Sequence, residues 1–189
     1  MSTAASRPAC DGPPGRLAVV VMGVSGSGKS QVGAGIAAAL GVAFVDGDDL
    51  HMPHNVAKMK RGVALTDQDR WPWLDRIGAL LADASQAPAG LVVACSALRR
   101  DYRDRIRADV PTLHFVFLDG PAELIRQRMT RRRGHYMPTG LLDSQLRTLE
   151  RPEADELDVL RLPIEPPVER IVADAVAALR HAASARRPP

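Results

Sequence analysis

Gly23-Val24-Ser25-Gly26-Ser27-Gly28-Lys29-Ser30 fits the pattern G-x-x-x-x-G-K-[ST]. Glycines at this spacing let the backbone fold until successive N–H groups converge, and such a cradle at a helix start suits phosphate oxygens. Lys29 has the reach to meet the β- and γ-phosphates of a nucleoside triphosphate, and the Ser30 hydroxyl is a ligand of the kind Mg²⁺ takes in such loops. Gly23, Ser25, Gly26, Ser27, Gly28, Lys29 and Ser30 are therefore the candidate nucleotide-binding residues. The loop does not say what is done with the nucleotide, because kinases, GTPases, motors and switches share it.

Asp46-Gly47-Asp48 is the next constellation. Two carboxylates one residue apart on an extended chain point the same way. Asp46 could hold water on the Mg²⁺ while Asp48 accepts a proton from an attacking hydroxyl. Asp-Gly is equally ordinary turn chemistry, which solvated acids would also satisfy. The run at 91–95 leads into Ser96 without a terminal aspartate, and Asp119, which does end an apolar run, also fits a helix cap before Pro121. Arg128 and Arg132 stand four apart and would share one helical face before the loop Gly134-His135-Tyr136-Met137-Pro138. Arginines so placed suit a lid over phosphates, although a solvated charge run would look the same.

Elements must bring these groups together. Apolar runs at 17–22, 42–45, 91–95, 113–118 and 159–162 read as strands, with segments of helical length between them. Helices are expected over 29–40, 51–62, 66–84 and 99–108, then from Pro121 to the polar stretch 131–139, from there to about Glu150, and over 167–181. Thr66 and Asp69 are placed to open the third of these, whose Trp73, Ile77 and Leu81 share a face; Trp71 and Trp73 read as packing rather than as a sugar platform. Alternating strands and helices imply a parallel sheet covered on both faces. Ligands bind beyond the carboxyl ends of such strands, where the glycine-rich loop, Asp46–Asp48, Ser96 and Asp119 all fall. No repeat or linker divides residues 17–182, so one domain is expected, with a lid at about 131–139 and loose tails at 1–16 and 183–189.

The 189 residues suffice for one sizeable core. Net charge is +3 with both signs interspersed, and aromatics are 4%, so no basic aromatic stripe points to nucleic acid. No apolar run reaches the roughly 18 residues that span a bilayer, and the first residues have no signal-peptide core. Cys10 and Cys95 make neither a disulfide framework nor a metal set, which makes the cytoplasm the expected location.

The blocks GVSGSGKS, FVDGDDLH, HNVAKMKRGVALTDQDRWPWL, CSALRRDYRDRIR and RRRGHYMPTGLLDSQLRTLERP, in this order and spacing, resemble the gluconokinase family over about residues 17–182. Shikimate kinase and adenylate kinase share the broader architecture but not these blocks. The resemblance implies a three-layer α/β phosphate-loop kinase fold, a five-stranded parallel sheet in the order 2-3-1-4-5, a small lid and frequently a homodimer. It implies transfer of the γ-phosphoryl of ATP, with Mg²⁺, to the 6-hydroxyl of D-gluconate, with no nucleic-acid or membrane partner. By the same resemblance Asp48 is the acid at the sugar hydroxyl, Lys29 assists the transfer, and Asp46 lies behind the metal-bound water. Lys58, Arg99 and Arg103 become candidates for gluconate contacts, and Arg128 and Arg132 for contacts near adenine and phosphate. His51 and His54 could touch substrate hydroxyls or serve in capping and packing. A related kinase of another small acceptor, and a nucleotide-driven regulatory module, are the rival readings.

Overall fold

The computed structural model describes residues 17–87, 90–131 and 139–185. Its strands are β1 (Ala18–Met22), β2 (Ala43–Asp46), β3 (Leu91–Ala94), β4 (Leu113–Asp119) and β5 (Val159–Pro163). They pair in parallel as one sheet in the order β2-β3-β1-β4-β5, as the resemblance implied. β1 and β3 are buried at every residue, which is why they read as unbroken apolar runs; β2 and β5, at the edges, are more exposed.

The helices are α1 (Lys29–Leu40), α2 (Pro53–Lys60), α3 (Asp67–Gln86), α4 (Arg100–Arg107), α5 (Ala122–Arg131), α6 (Thr139–Thr148) and α7 (Val168–Ala185). Alternation along the strands sends successive side chains to opposite faces. Val19 and Val21 of β1 join Ile36 of α1, Ile125 of α5, Leu142 of α6 and Ile171 of α7 in one apolar layer. Ala18, Val20 and Met22 face Trp73, Leu74, Ile77 and Leu81 of α3 and Ile106 of α4 in the other. Three layers result.

The ends of the elements follow local chemistry. Gly41 closes α1 in the left-handed conformation, its N–H reaching the carbonyls of Ala37 and Ala38. Thr66 and Asp69 form the expected reciprocal capping box of α3. An unexpected 3-10 turn occupies Gly47–Leu50, and α7 continues to Ala185, three residues into the segment expected to be tail, because its alanines favour helix. The expected lid falls largely on residues 132–138, outside the described residues, as do the tail residues 1–16 and 186–189.

Register puts the chemistry at one edge. Val21 pairs with Ala94, Asp46 also pairs with Ala94, and Met22 pairs with Phe117. The segments that leave β1, β2, β3 and β4 therefore emerge side by side.

Candidate active site

The glycine-rich loop leaves β1 and enters α1 at Lys29. Gly26 and Gly28 have φ of 84° and 99°, a left-handed region that side chains resist. A Cβ on Gly26 would also come within 2.7 Å of Met129 Cγ, so α5 rests against the loop. The hydroxyl of Ser27 is buried against Gly23 and makes no hydrogen bond, a polar atom within the loop left without a protein partner. Lys29 Nζ folds back to donate to the Val24 carbonyl at 3.1 Å. These features fit a phosphate chain.

Asp46 ends β2 and links two other groups. One carboxylate oxygen accepts the Ser30 hydroxyl at 2.7 Å and the other accepts the Asp48 N–H at 3.1 Å. The 3-10 turn is thus capped by Asp46, and Gly47 is confined because a Cβ there would collide with the Ala94 carbonyl. Turn chemistry and site chemistry coincide in these residues. Asp48 stands exposed at the cleft, yet the protein around its carboxyl raises its pKa by loss of hydration, against the pull of Lys29 and with help from Asp46 and Asp49. A hydroxyl and a carboxylate in contact at the loop's end are a donor set that fits Mg²⁺. No cluster of three or more His, Cys, Asp or Glu exists among the described residues to hold a metal by protein alone.

Next to the 3-10 turn, His51 stacks on Trp73 with ring centroids 4.2 Å apart, and Trp73 Nε1 donates to the Gly47 carbonyl at 2.7 Å. Burial, followed by the charge of Arg70, lowers the His51 pKa to about 4, so it packs as a neutral ring. Trp71 packs edge-on against Tyr102. Burial pushes the Cys95 thiol up to about 12, leaving it a core group rather than a nucleophile.

A recess of about 340 Å³ lies between α3, α4 and α6, lined among others by Asp67, Arg70, Arg99, Tyr102, Arg147 and Glu150. Basic residues singled out from sequence are already engaged around it. Lys58 binds both oxygens of Asp69, at 2.6 and 2.8 Å. Arg99 lines the recess but is shared among Asp67, Asp101 and Glu150 at 2.7, 3.0 and 3.4 Å. Arg103, the third candidate, is 1% exposed, grips Glu156 with Nε and Nη2 at 2.7 and 2.6 Å, and donates Nη1 to backbone carbonyls.

Arg70 and Arg147 are different. Among the described residues neither forms an ion pair; Arg70 lies over the Tyr102 ring at 5.7 Å and Arg147 is exposed. Sequence reasoning missed both, and Tyr102 and Gln145 with them. They lie within the blocks TDQDRWPWL, CSALRRDYRDRIR and SQLRTLE, but no local spacing separates an arginine that faces a recess from one that faces an acid. Gln145 Oε1 accepts the Ser25 N–H at 2.6 Å, joining α6 to the glycine-rich loop.

On the other side of that loop, Arg128 Nη2 donates to the Ile164 carbonyl at 2.6 Å. A second recess, of about 500 Å³, lies there at the ends of β4 and β5, with Asp119 held by Arg151 and Arg161. Arg132 lies outside the described residues.

A family model described as an AAA domain matches residues 19–152. The thermosensitive gluconokinase of Escherichia coli strain K12 is 49% identical over 150 residues, covering 77% of this chain and 78% of that protein. The crystal structure of a gluconokinase from Sinorhizobium meliloti 1021 superposes with a TM-score of 0.82 at 47% identity, over 92% of this chain and 96% of that one. An APS kinase of Mycobacterium tuberculosis, solved with AMPPNP and APS, shares the fold alone, with 22% identity, a TM-score of 0.62 and coverage of 89% and 99%.

Proposed function

The chain belongs to the gluconokinase family, and on that premise we propose that it is an ATP-dependent carbohydrate kinase that transfers the γ-phosphoryl of ATP to the 6-hydroxyl of D-gluconate. Its products are 6-phospho-D-gluconate and ADP. The observation that supports the choice of acceptor is the recess where Arg70 and Arg147 stand beside Asp67 and Glu150, two guanidiniums that form no ion pair among the described residues. A sugar acid supplies the missing carboxylate, and arginine binds it through a planar two-bond fork. Neutral sugars lack that group.

The proposed roles are supported by position. The loop from Gly23 to Ser30 binds the triphosphate, and Lys29 offsets charge on the transferring group. Asp48 orients the acceptor hydroxyl and takes its proton, while Arg70 and Arg147 hold the carboxylate end, with Arg99 contributing through its acid network. Lys58 acts indirectly by fixing Asp69 at the start of α3, and Arg103 is left out of the binding set. Arg128, at the β4–β5 side, serves the nucleotide, and Arg132 is proposed to serve it as well. Mg²⁺ would be held by Ser30, with Asp46 placed to hold its water, and would supply charge neutralisation of the phosphates. Catalysis then rests on positioning and preorganised charge, which hold the reacting oxygen near the phosphorus.

We further propose a single kinase domain over 17–182 with a lid near 131–139, acting in the cytoplasm as a homodimer without nucleic-acid or membrane partners. No helix among the described residues is long and apolar enough to cross a membrane.

The experiment is a coupled ADP-release assay with Mg²⁺ and ATP, comparing D-gluconate, its epimers, shikimate, AMP and no acceptor. Release that depends on D-gluconate is expected. Equal release with every acceptor and with none would overturn the proposal in favour of a simple NTPase.

A further inference from the structure

Gln145 crosses from α6 to the glycine-rich loop, where its Oε1 accepts the Ser25 N–H at 2.6 Å. A backbone N–H can only donate, so the amide oxygen faces the loop and the Nε2 hydrogens face away. The bond occupies a donor in the loop that binds phosphate. It also occupies a particular end of it, because Lys29, whose ammonium serves the β- and γ-phosphates, reaches back to the Val24 carbonyl one residue away. A terminal phosphate met by Lys29 in this position would lie near Ser25.

The same helix lines the arginine recess through Ser144, Arg147 and Thr148. One rigid element thus touches the phosphate loop and the acceptor recess. Its contact with the loop is an amide, which can accept a hydrogen bond and, after rotation about its last bond, donate one. A carboxylate in that place could only accept.

We propose that Gln145 senses the terminal phosphate of the nucleotide. Without triphosphate its oxygen holds the Ser25 N–H; with triphosphate it yields that donor and turns Nε2–H toward the γ-phosphate oxygen. A diphosphate ends short of this position and leaves the Gln145–Ser25 bond in place. Gln145 is a positioning residue that ties α6, and with it the acceptor recess, to the presence of a transferable phosphoryl group. The inference rests on the kinase reading but not on the identity of the acceptor.

The test is calorimetric titration of the full chain with Mg²⁺ and either ADP or a non-hydrolysable ATP analogue, with gluconate omitted. Q145E keeps the bond to Ser25 but opposes the γ-phosphate with charge. Its affinity for the analogue is expected to fall by about tenfold or more while ADP binding changes by less than about twofold. Q145A removes the competitor and the donor together, so its analogue-to-ADP ratio should stay within about threefold of the wild type. An unchanged ratio in Q145E, or equal losses for both nucleotides as a mere strut would give, overturns the inference while leaving the kinase reading intact. A wild-type protein that binds neither nucleotide would sink both.

Discussion

Asp46 accepts the Ser30 hydroxyl at 2.7 Å, which ties the end of β2 to the first turn of α1 across 16 positions of sequence. The same carboxylate caps the turn that presents Asp48. The proposed metal ligand and the proposed acceptor acid are thereby fixed by a single side chain, and their distance does not depend on either loop alone.

Asp48→Asn should lower kcat by about 100-fold or more if the carboxylate takes the proton. Stability should move the other way. A carboxyl whose folded pKa is raised favours the folded state below its unfolded pKa and loses that contribution as pH rises through the folded value. The asparagine variant should therefore melt above the wild type at neutral pH and level with it near pH 3. Kinetics and thermal melts across pH check both, and near-normal kcat would remove Asp48 from the proton path.

Arg147→Ala should raise the KM for gluconate by about 10- to 100-fold, the worth of charged hydrogen bonds, while nucleotide affinity stays unchanged. Arg147→Lys should fall between, because a point charge replaces a fork. Steady-state kinetics with each substrate varied makes the distinction, and an unaltered gluconate KM would place the carboxylate elsewhere.

His51 predicts an acid-sensitive core. Its folded pKa of about 4 lies below the ordinary 6.5, because burial first and Arg70 second oppose its charge. Its contribution is complete above pH 6.5 and is lost as pH falls toward 4, by at most about 1.4 kcal/mol per pH unit. Denaturant unfolding between pH 4 and 7 should show this slope, and His51→Phe, which keeps a ring on Trp73, should flatten it.

Glu156→Ala should destabilise the protein by about 3–5 kcal/mol, since it strands the buried Arg103. Burial alone would raise the Glu156 pKa, but hydrogen bonds from Arg103 and Arg107 hold it down to about 2. Replacing the pair together, with Arg103→Met and Glu156→Leu, should recover most of the loss. Unfolding curves measure the energies. A gluconate KM unchanged in the double variant would agree with Arg103 serving the core alone.

The sequence by itself determined the sheet, the helices and the nucleotide loop, because each is written in short-range chemistry. Unbroken apolar runs require burial on both faces, Gly41 and the Thr66–Asp69 pair stop and start helices locally, and the loop from Gly23 to Ser30 is a backbone conformation that only its glycines permit. Asp46 and Asp48 were legible as a close pair in the chain, although Asp46 ends β2 and Asp48 stands in the 3-10 turn that Asp46 caps rather than on an extended strand. The tertiary structure alone decided which arginines are paired with acids. Arg103, which looked available, is consumed by Glu156 from 53 positions away, whereas Arg70 and Arg147 meet at one recess from α3 and α6. Gln145 reaches Ser25 across 120 positions. Charge neutralisation depends on distance in space, and a chain records only distance along itself.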